Sequence, residues 1–344
     1  MTTSRHGGGV RPATVASVFP AAHRRLPTVA LGLVLALVLV ACGGQDLGKA
    51  NFQRTTVPAE PGSGSQGEVP TGPITDPAVA AEALRLVDPC PLVGPDVLSE
   101  LGTPGEPRVS GWDRCANTAQ DAGGKKVSVS LQLGDLLGLE KPTGNVEGLP
   151  LAENSLEEGN CFVSALTSRD PDLGITAQVK YEGGDPCRAG RTVLQKVITM
   201  LRAEPATVEQ PEGSVVGLDP CTGLDDAATG DVLTGEVDKR ATSLHDCTWN
   251  SRGTDLTLGY RLGHLPSVQD AAEEVDLGGG VTGYQKVTSP DSAQCAISWV
   301  HRPIDETLGE LVALEYRNRD ADAKTDDACG KAKVLATKVA AGLP

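Results

Sequence analysis

Ser243, His245 and Asp246 bring a nucleophile, a general base and an orienting acid together within one short stretch. A catalytic triad collects those groups in space, usually from distant segments, so their adjacency in the chain favours a solvated turn beside Cys247 over a catalytic centre. The histidines beyond residue 42 are His245, His264 and His301, all in the C-terminal half. Gly278, Gly280 and Gly283 match the spacing of a dinucleotide fingerprint, yet they precede a strand-like stretch at 284–287 and do not open a helix, so a flexible turn is expected. Asp320, Asp322, Asp326 and Asp327 resemble the start of a calcium loop, but Lys324 stands at the third ligand position and the required glycine is missing. A negatively charged helix start is the better reading. These motifs imply no metal, no cofactor and no catalytic set.

The cysteines are more informative. Cys42 stands apart, and the other eight fall into two sets of matching order: Asp88-Pro89-Cys90, Cys115, Cys161 and Cys187, then Asp219-Pro220-Cys221, Cys247, Cys295 and Cys329. Successive intervals are 25, 46 and 26 residues in the first set and 26, 48 and 34 in the second, which marks an internal repeat. No C-x-x-C pair occurs and the spacings are too long for a compact zinc site, so disulfides are expected.

The elements that position these residues follow from apolar periodicity. A helix is expected over 76–87, capped by Thr75 or Asp76 and ended by Asp88-Pro89; it has no counterpart in the second repeat and is expected to pack outside the common core. A short helix at 96–101 and a strand near Cys115 come next. Val127, Val129, Leu131 and Leu133 then alternate after a Gly123-Gly124 turn, as one buried strand face requires. Strands at 161–167 and 175–181 precede a helix from Pro186 to about Ala203. After a linker at 204–218, rich in Pro and Gly, the second repeat replays this order, with strands at 246–250, 255–262, 281–287, 294–301 and 310–317 and a closing helix at about 326–341. The fold class expected is α+β: two tandem repeats, 76–203 and 219–344, each an antiparallel sheet covered on one face by helices and stapled by two disulfides.

Four cysteines allow three pairings per repeat, and spacing does not choose among them. Cys90 and Cys187 open helices while Cys115 and Cys161 sit on strands, so joining like with like gives a nested expectation: Cys90 to Cys187, Cys115 to Cys161, Cys221 to Cys329 and Cys247 to Cys295. Should a small-molecule pocket exist, Trp249, Tyr260, Tyr284, Trp299 and Tyr316 place it in the second repeat. The competing reading, that these aromatics fill its core, is favoured by their positions in alternating strands.

The address of the protein is written ahead of Cys42. Arg5, Arg11, Arg24 and Arg25 precede an apolar run at 29–40, with no acidic residue before Asp46. Those twelve residues fall short of the roughly 20 that cross a bilayer, so a signal peptide over 1–41 is expected and not a permanent span. Arg24-Arg25 also leaves a twin-arginine route open. Leu39-Val40-Ala41-Cys42 resembles the lipobox of bacterial lipoproteins. The resemblance implies that Cys42 carries a diacylglycerol and partners the lipid bilayer; two acyl chains anchor durably where one does not. Residues 42–75, rich in Pro, Gly, Ser and Thr, read as a flexible tether.

From Cys42 onward 26 basic residues face 45 acidic ones, a net charge of about −19. That sign argues against nucleic acid as a partner, since such binding depends on Lys and Arg neutralising phosphates. The doubled Asp-Pro-Cys opening, Cys247-Thr248-Trp249 and the two later cysteines, behind a lipobox, resemble an actinobacterial family of exported lipoproteins of unknown function, over residues 88–201 and 219–343. The first repeat departs from this pattern at Cys115-Ala116-Asn117, with its tryptophan displaced to Trp112. Similar domains serve as extracellular sensor regions of actinobacterial serine/threonine kinases. The resemblance implies a non-catalytic binding or sensing protein at the outer face of the cell membrane, with an envelope ligand or protein as its partner. A structural, partner-binding role is the alternative, and an envelope hydrolase a third.

Overall fold

Alternation along the strands decides the architecture. In β4 (Lys126–Leu136), Val127, Val129, Leu131 and Leu133 all point into one core, while Ser128, Ser130 and Gln132 face the other way. The computed structural model describes residues 67–138, 141–156, 159–266, 272–289, 293–320 and 323–344, so the leader, Cys42 and most of the tether lie outside the described residues. No helix among the described residues is long and apolar enough to cross a membrane.

The first repeat contains β1 (Thr103–Pro104), β2 (Arg108–Val109), β3 (Arg114–Gln120), β4, β5 (Gly144–Val146), β6 (Leu149–Leu156), β7 (Asn160–Leu166) and β8 (Leu173–Tyr181). They form an antiparallel sheet in the order β1-β3-β4-β8-β7-β6-β5, with β2 also paired to β3. The second repeat contains β9 (Asp238–Ala241), β10 (Asp246–Ser251), β11 (Thr254–His264), β12 (Glu273–Asp276), β13 (Thr282–Ser289), β14 (Ala293–Pro303) and β15 (Leu308–Asn318), in the order β12-β13-β14-β15-β11-β10-β9. Strand for strand the two sheets share one topology, and the register matches too: Cys115 pairs with Leu131 as Cys247 pairs with Leu258. The short edge strands β9 and β12 show no alternation in the sequence because they have little to bury, whereas β6, between β7 and β5, buries Leu149, Leu151 and Ala152 on a run that does not alternate.

Short helices α1 (Ala81–Leu84) and α2 (Pro95–Leu98) and the long α3 (Pro186–Leu201) belong to the first repeat; α4 (Asp226–Gly230) and α5 (Ala328–Gly342) belong to the second. Asp185 caps α3, its carboxylate accepting from the Arg188 amide at 3.1 Å with Pro186 in the first turn, and Asp327 caps α5 in the same way from Gly330 at 2.9 Å. The buried stripe of α3, Val193, Leu194, Val197, Ile198 and Leu201, packs over β7 and β8. Each such side chain contributes about 1.5–3 kcal/mol by burial. Each sheet therefore has one helix-covered face, and the expected α+β architecture of two disulfide-stapled repeats is the one observed.

Two details differ from expectation. The stretch at 76–87 is a 3-10 turn (Pro77–Val79) followed by α1, broken at Ala80, whose ψ of 146° is extended. It also does not lie outside the core: Val79, Leu84 and Val87 are buried within the apolar cluster of the first repeat.

The nested disulfide pattern is corrected. The bridges are sequential, Cys90–Cys115, Cys161–Cys187, Cys221–Cys247 and Cys295–Cys329, with Cα separations of 5.1, 5.1, 5.0 and 5.1 Å. Strand order supplies the reason. β4 and β8 lie between β3 and β7, so Cys115 and Cys161 stand three strand spacings apart, about 14 Å, well beyond disulfide reach. Cys247 on β10 and Cys295 on β14 are separated in the same way by β11 and β15. Each bridge instead ties a strand to the turn or helix packed over it. Loops of 25 to 34 residues then contribute about 3–4 kcal/mol apiece in the chain-entropy model. Peptide mapping of the unreduced protein is expected to recover these four linkages, and a peptide joining Cys115 to Cys161 would contradict the fold.

Both repeats fall within one structural unit and exchange equivalent residues. Trp112, three positions before Cys115, packs on the apolar cluster of the second repeat, while Leu244, three before Cys247, is buried in that of the first. The backbone repeats the symmetry: the Leu133 amide donates to the Asp113 carbonyl at 2.8 Å as the Tyr260 amide donates to that of His245 at 2.9 Å. Gly134 leaves the room Leu244 needs, since a Cβ there would lie 2.2 Å from Leu244 Cγ on a backbone with φ of +66°. The Arg85 guanidinium pins the intruding loop by donating from Nε to the Leu244 carbonyl at 2.9 Å. The linker is also held: Glu310, 2% exposed, accepts from the Ser214 hydroxyl at 2.8 Å and the Val215 amide at 2.9 Å.

Candidate functional site

The residues with chemical potential do not assemble as a catalytic centre. Ser243 Oγ donates directly to Asp246 Oδ2 at 2.8 Å, and the His245 ring hydrogen-bonds to neither. Both ring nitrogens of His245 are buried without a hydrogen-bond partner, and the ring lies 5.3 Å from that of Trp112 across the repeat boundary. Burial, with the nearby Arg85 charge, depresses its pKa to about 3. Gly278, Gly279 and Gly280 all have positive φ and form the turn between β12 and β13, as the sequence implies. Asp326 is occupied by the Tyr316 hydroxyl and Asn318 amide, each at 2.7 Å, and by Lys331 at 2.7 Å; burial pushes its pKa up, but these partners hold it below the ordinary carboxylate range. Among the described residues no group of His, Cys, Asp and Glu has the geometry to hold a metal ion.

The five aromatics do not line a common pocket. Trp249, Tyr260, Trp299 and Tyr316 are at most 2% exposed and fill the core of the second repeat, because each takes an inward position on β10, β11, β14 or β15. Burial lifts the Tyr260 hydroxyl to about 12. Tyr284 alone faces outward, since its register partner on β14 is Ser298, between the inward Ile297 and Trp299.

That outward face carries the concavity. One row of paired residues crosses the sheet from Asp246 on β10 through Gly259, Ala313 and Ser298 to Tyr284 on β13. The three central residues are small, so the floor is low between taller walls, and a cavity of about 380 Å³ opens over it. Arg261, Lys286 and Glu315 stand around this floor. A Cβ on Gly259 would lie 2.1 Å from Asp246 Oδ1, so the carboxylate rests directly over the glycine backbone. Burial raises the Asp246 pKa, against the lowering effect of the Ser243 hydroxyl and the Arg261 charge.

The equivalent row of the first repeat runs Arg114, Gln132, Thr176, Ser164 and Ala152. It is closed. Arg114 Nη2 donates to Gln132 Oε1 at 2.5 Å, and the Ser164 and Thr176 hydroxyls, 2% and 5% exposed, bond each other at 2.9 Å. The hollow on this sheet, about 270 Å³, lies further along the strands, over Ala116, Ser128, Ser130 and Lys180. Arg261, Lys286 and Ser298 were not legible as site residues. Their signal is a polar outward set on alternating strands, which is ordinary until the register places them around one floor.

No family model matches the chain, and no curated protein matches it. Among solved structures the chain is similar to the di-domain ARO/CYC BexL from the BE-7585A biosynthetic pathway, with 12% identity and a TM-score of 0.17 over 78% of this chain and 96% of that one. A likeness that slight carries no argument.

Proposed function

We propose that the protein is a lipid-anchored, extracytoplasmic binding or sensing protein of the cell envelope, without catalytic activity. The observation that best supports this reading is that all eight cysteines after Cys42 lie in four disulfides, which form and persist in oxidising, extracytoplasmic compartments. Cys42, behind Leu39-Val40-Ala41 and the arginine-flanked apolar run, then serves as the acylated residue, and 42–75 as the tether to the outer face of the membrane. With a net charge of about −19 from Cys42 onward, the folded part is repelled by anionic headgroups, so the acyl chains supply the attachment. Binding is favoured over a purely structural role by the open row of the second repeat, whose floor and volume suit a small molecule.

Cys42→Ala is expected to abolish incorporation of radiolabelled fatty acid and to release the protein from the membrane fraction. Unchanged labelling of that variant would overturn the assignment.

A further inference from the structure

The polar groups around the second repeat's floor are unevenly satisfied. Its carboxylates are engaged: Asp246 by the Ser243 hydroxyl at 2.8 Å, and Glu315 by the Gln294 side-chain amide. Its cations are less so: among the described residues the Arg261 guanidinium and the Lys286 ammonium make no hydrogen bond or ion pair, although the Arg261 charge reaches Asp246, and the Tyr284 and Ser298 hydroxyls on the same concavity make no hydrogen bond. Arg and Lys only donate hydrogen bonds, and the two hydroxyls can donate as well. Such a set is complementary to an acceptor-rich anion, and Arg in particular suits the bidentate geometry of a carboxylate or phosphate.

The first repeat provides the internal comparison. There the equivalent row is filled by its own Arg114–Gln132 and Ser164–Thr176 contacts. The duplicated fold therefore does not require an open row, and Gly259, Ala313 and Ser298 keep it open in one copy alone.

We infer that the outer sheet face of the second repeat binds a small organic oxyanion, a carboxylate or phosphate ester, between Arg261 and Lys286 over the Gly259–Ala313–Ser298 floor, with Tyr284 as a flanking wall. This deepens the binding reading above and rests on it. The anion's source is either a soluble metabolite or a lipid headgroup, which share this chemistry.

The test is isothermal titration calorimetry of the full-length protein in an uncharged detergent with four probes: benzoate, phenyl phosphate, monomeric dihexanoyl phosphatidylglycerol and benzylamine. Saturable binding of at least one anion is expected, weakened about tenfold or more by Arg261→Ala and by Lys286→Ala, which are exposed and leave the core intact. Gly259→Val should abolish it by filling the floor, whereas Lys180→Ala on the first repeat should not alter it. Preference for the phosphatidylglycerol probe would assign the headgroup source, and preference for benzoate or phenyl phosphate the soluble one. Absence of saturable anion binding, equal affinity in the Arg261 and Lys286 variants, or binding of benzylamine alone would overturn the inference. Native mass spectrometry separates the two levels: a co-purified neutral or cationic ligand would sink the oxyanion site and leave the binding reading standing.

Discussion

Leu244→Ala is expected to destabilise the protein by about 3 kcal/mol, within the 2–5 kcal/mol typical of buried Leu truncations. The residue is 1% exposed, yet it belongs to the second repeat and is buried in the core of the first. Its surroundings have little freedom to close over the void, because Arg85 holds the Leu244 carbonyl and Gly134 offers no side chain to fill the space. Part of the loss falls on the coupling between repeats, so the variant should also unfold less cooperatively, with urea transitions followed by tryptophan fluorescence and by far-UV circular dichroism no longer coincident. Trp112→Ala, at the equivalent position, should uncouple the repeats in the same way. A change in stability below about 0.5 kcal/mol for Leu244→Ala would show that the exchanged residues do not hold the repeats together.

Acid should weaken the same boundary. The folded pKa of His245, about 3, lies below its ordinary value of 6.5, so the unfolded chain takes up a proton between those values that the folded chain refuses. The resulting loss of stability is absent above pH 6.5 and grows as pH falls, by about 1.4 kcal/mol per unit, reaching roughly 4–5 kcal/mol near pH 3. Asp113 and Asp246, near each other at the repeat boundary, have pKa values raised by burial, and such carboxylates act in the opposite sense by retaining protons when folded. The wild-type curve therefore mixes both signs, and comparison with His245→Phe isolates the histidine. Phe keeps an aromatic ring against Trp112 and has no buried nitrogens to leave unsatisfied. Between pH 7 and pH 4.5 the wild type is expected to lose about 2–3 kcal/mol relative to the variant in urea melts. Parallel curves would mean that His245 is able to take up a proton in the folded state at ordinary pH.

Much of this protein was legible without coordinates because its signals are local. The paired cysteine sets defined two repeats, alternation at Val127 to Leu133 and at Leu256 to Leu262 placed the central strands, and the apolar stripe from Val193 to Leu201 placed the helix that covers the first sheet. Strand order was beyond reach, and the disulfide pairing failed with it: joining like with like ignores β4 and β8, which keep Cys115 and Cys161 apart. Alternation already favoured the core over a pocket for the aromatics of the second repeat, and the pleat sends Trp249, Tyr260, Trp299 and Tyr316 inward; that Tyr284 alone turns outward follows from register. Gly259, Ala313 and Ser298 become one floor only when antiparallel register brings three separate strands side by side. Residue spacing along the chain thus determined the repeats, their elements and their braces, whereas tertiary structure decided which cysteines meet, which aromatics are buried and where a ligand has room, because each of those depends on contacts between strands far apart in sequence.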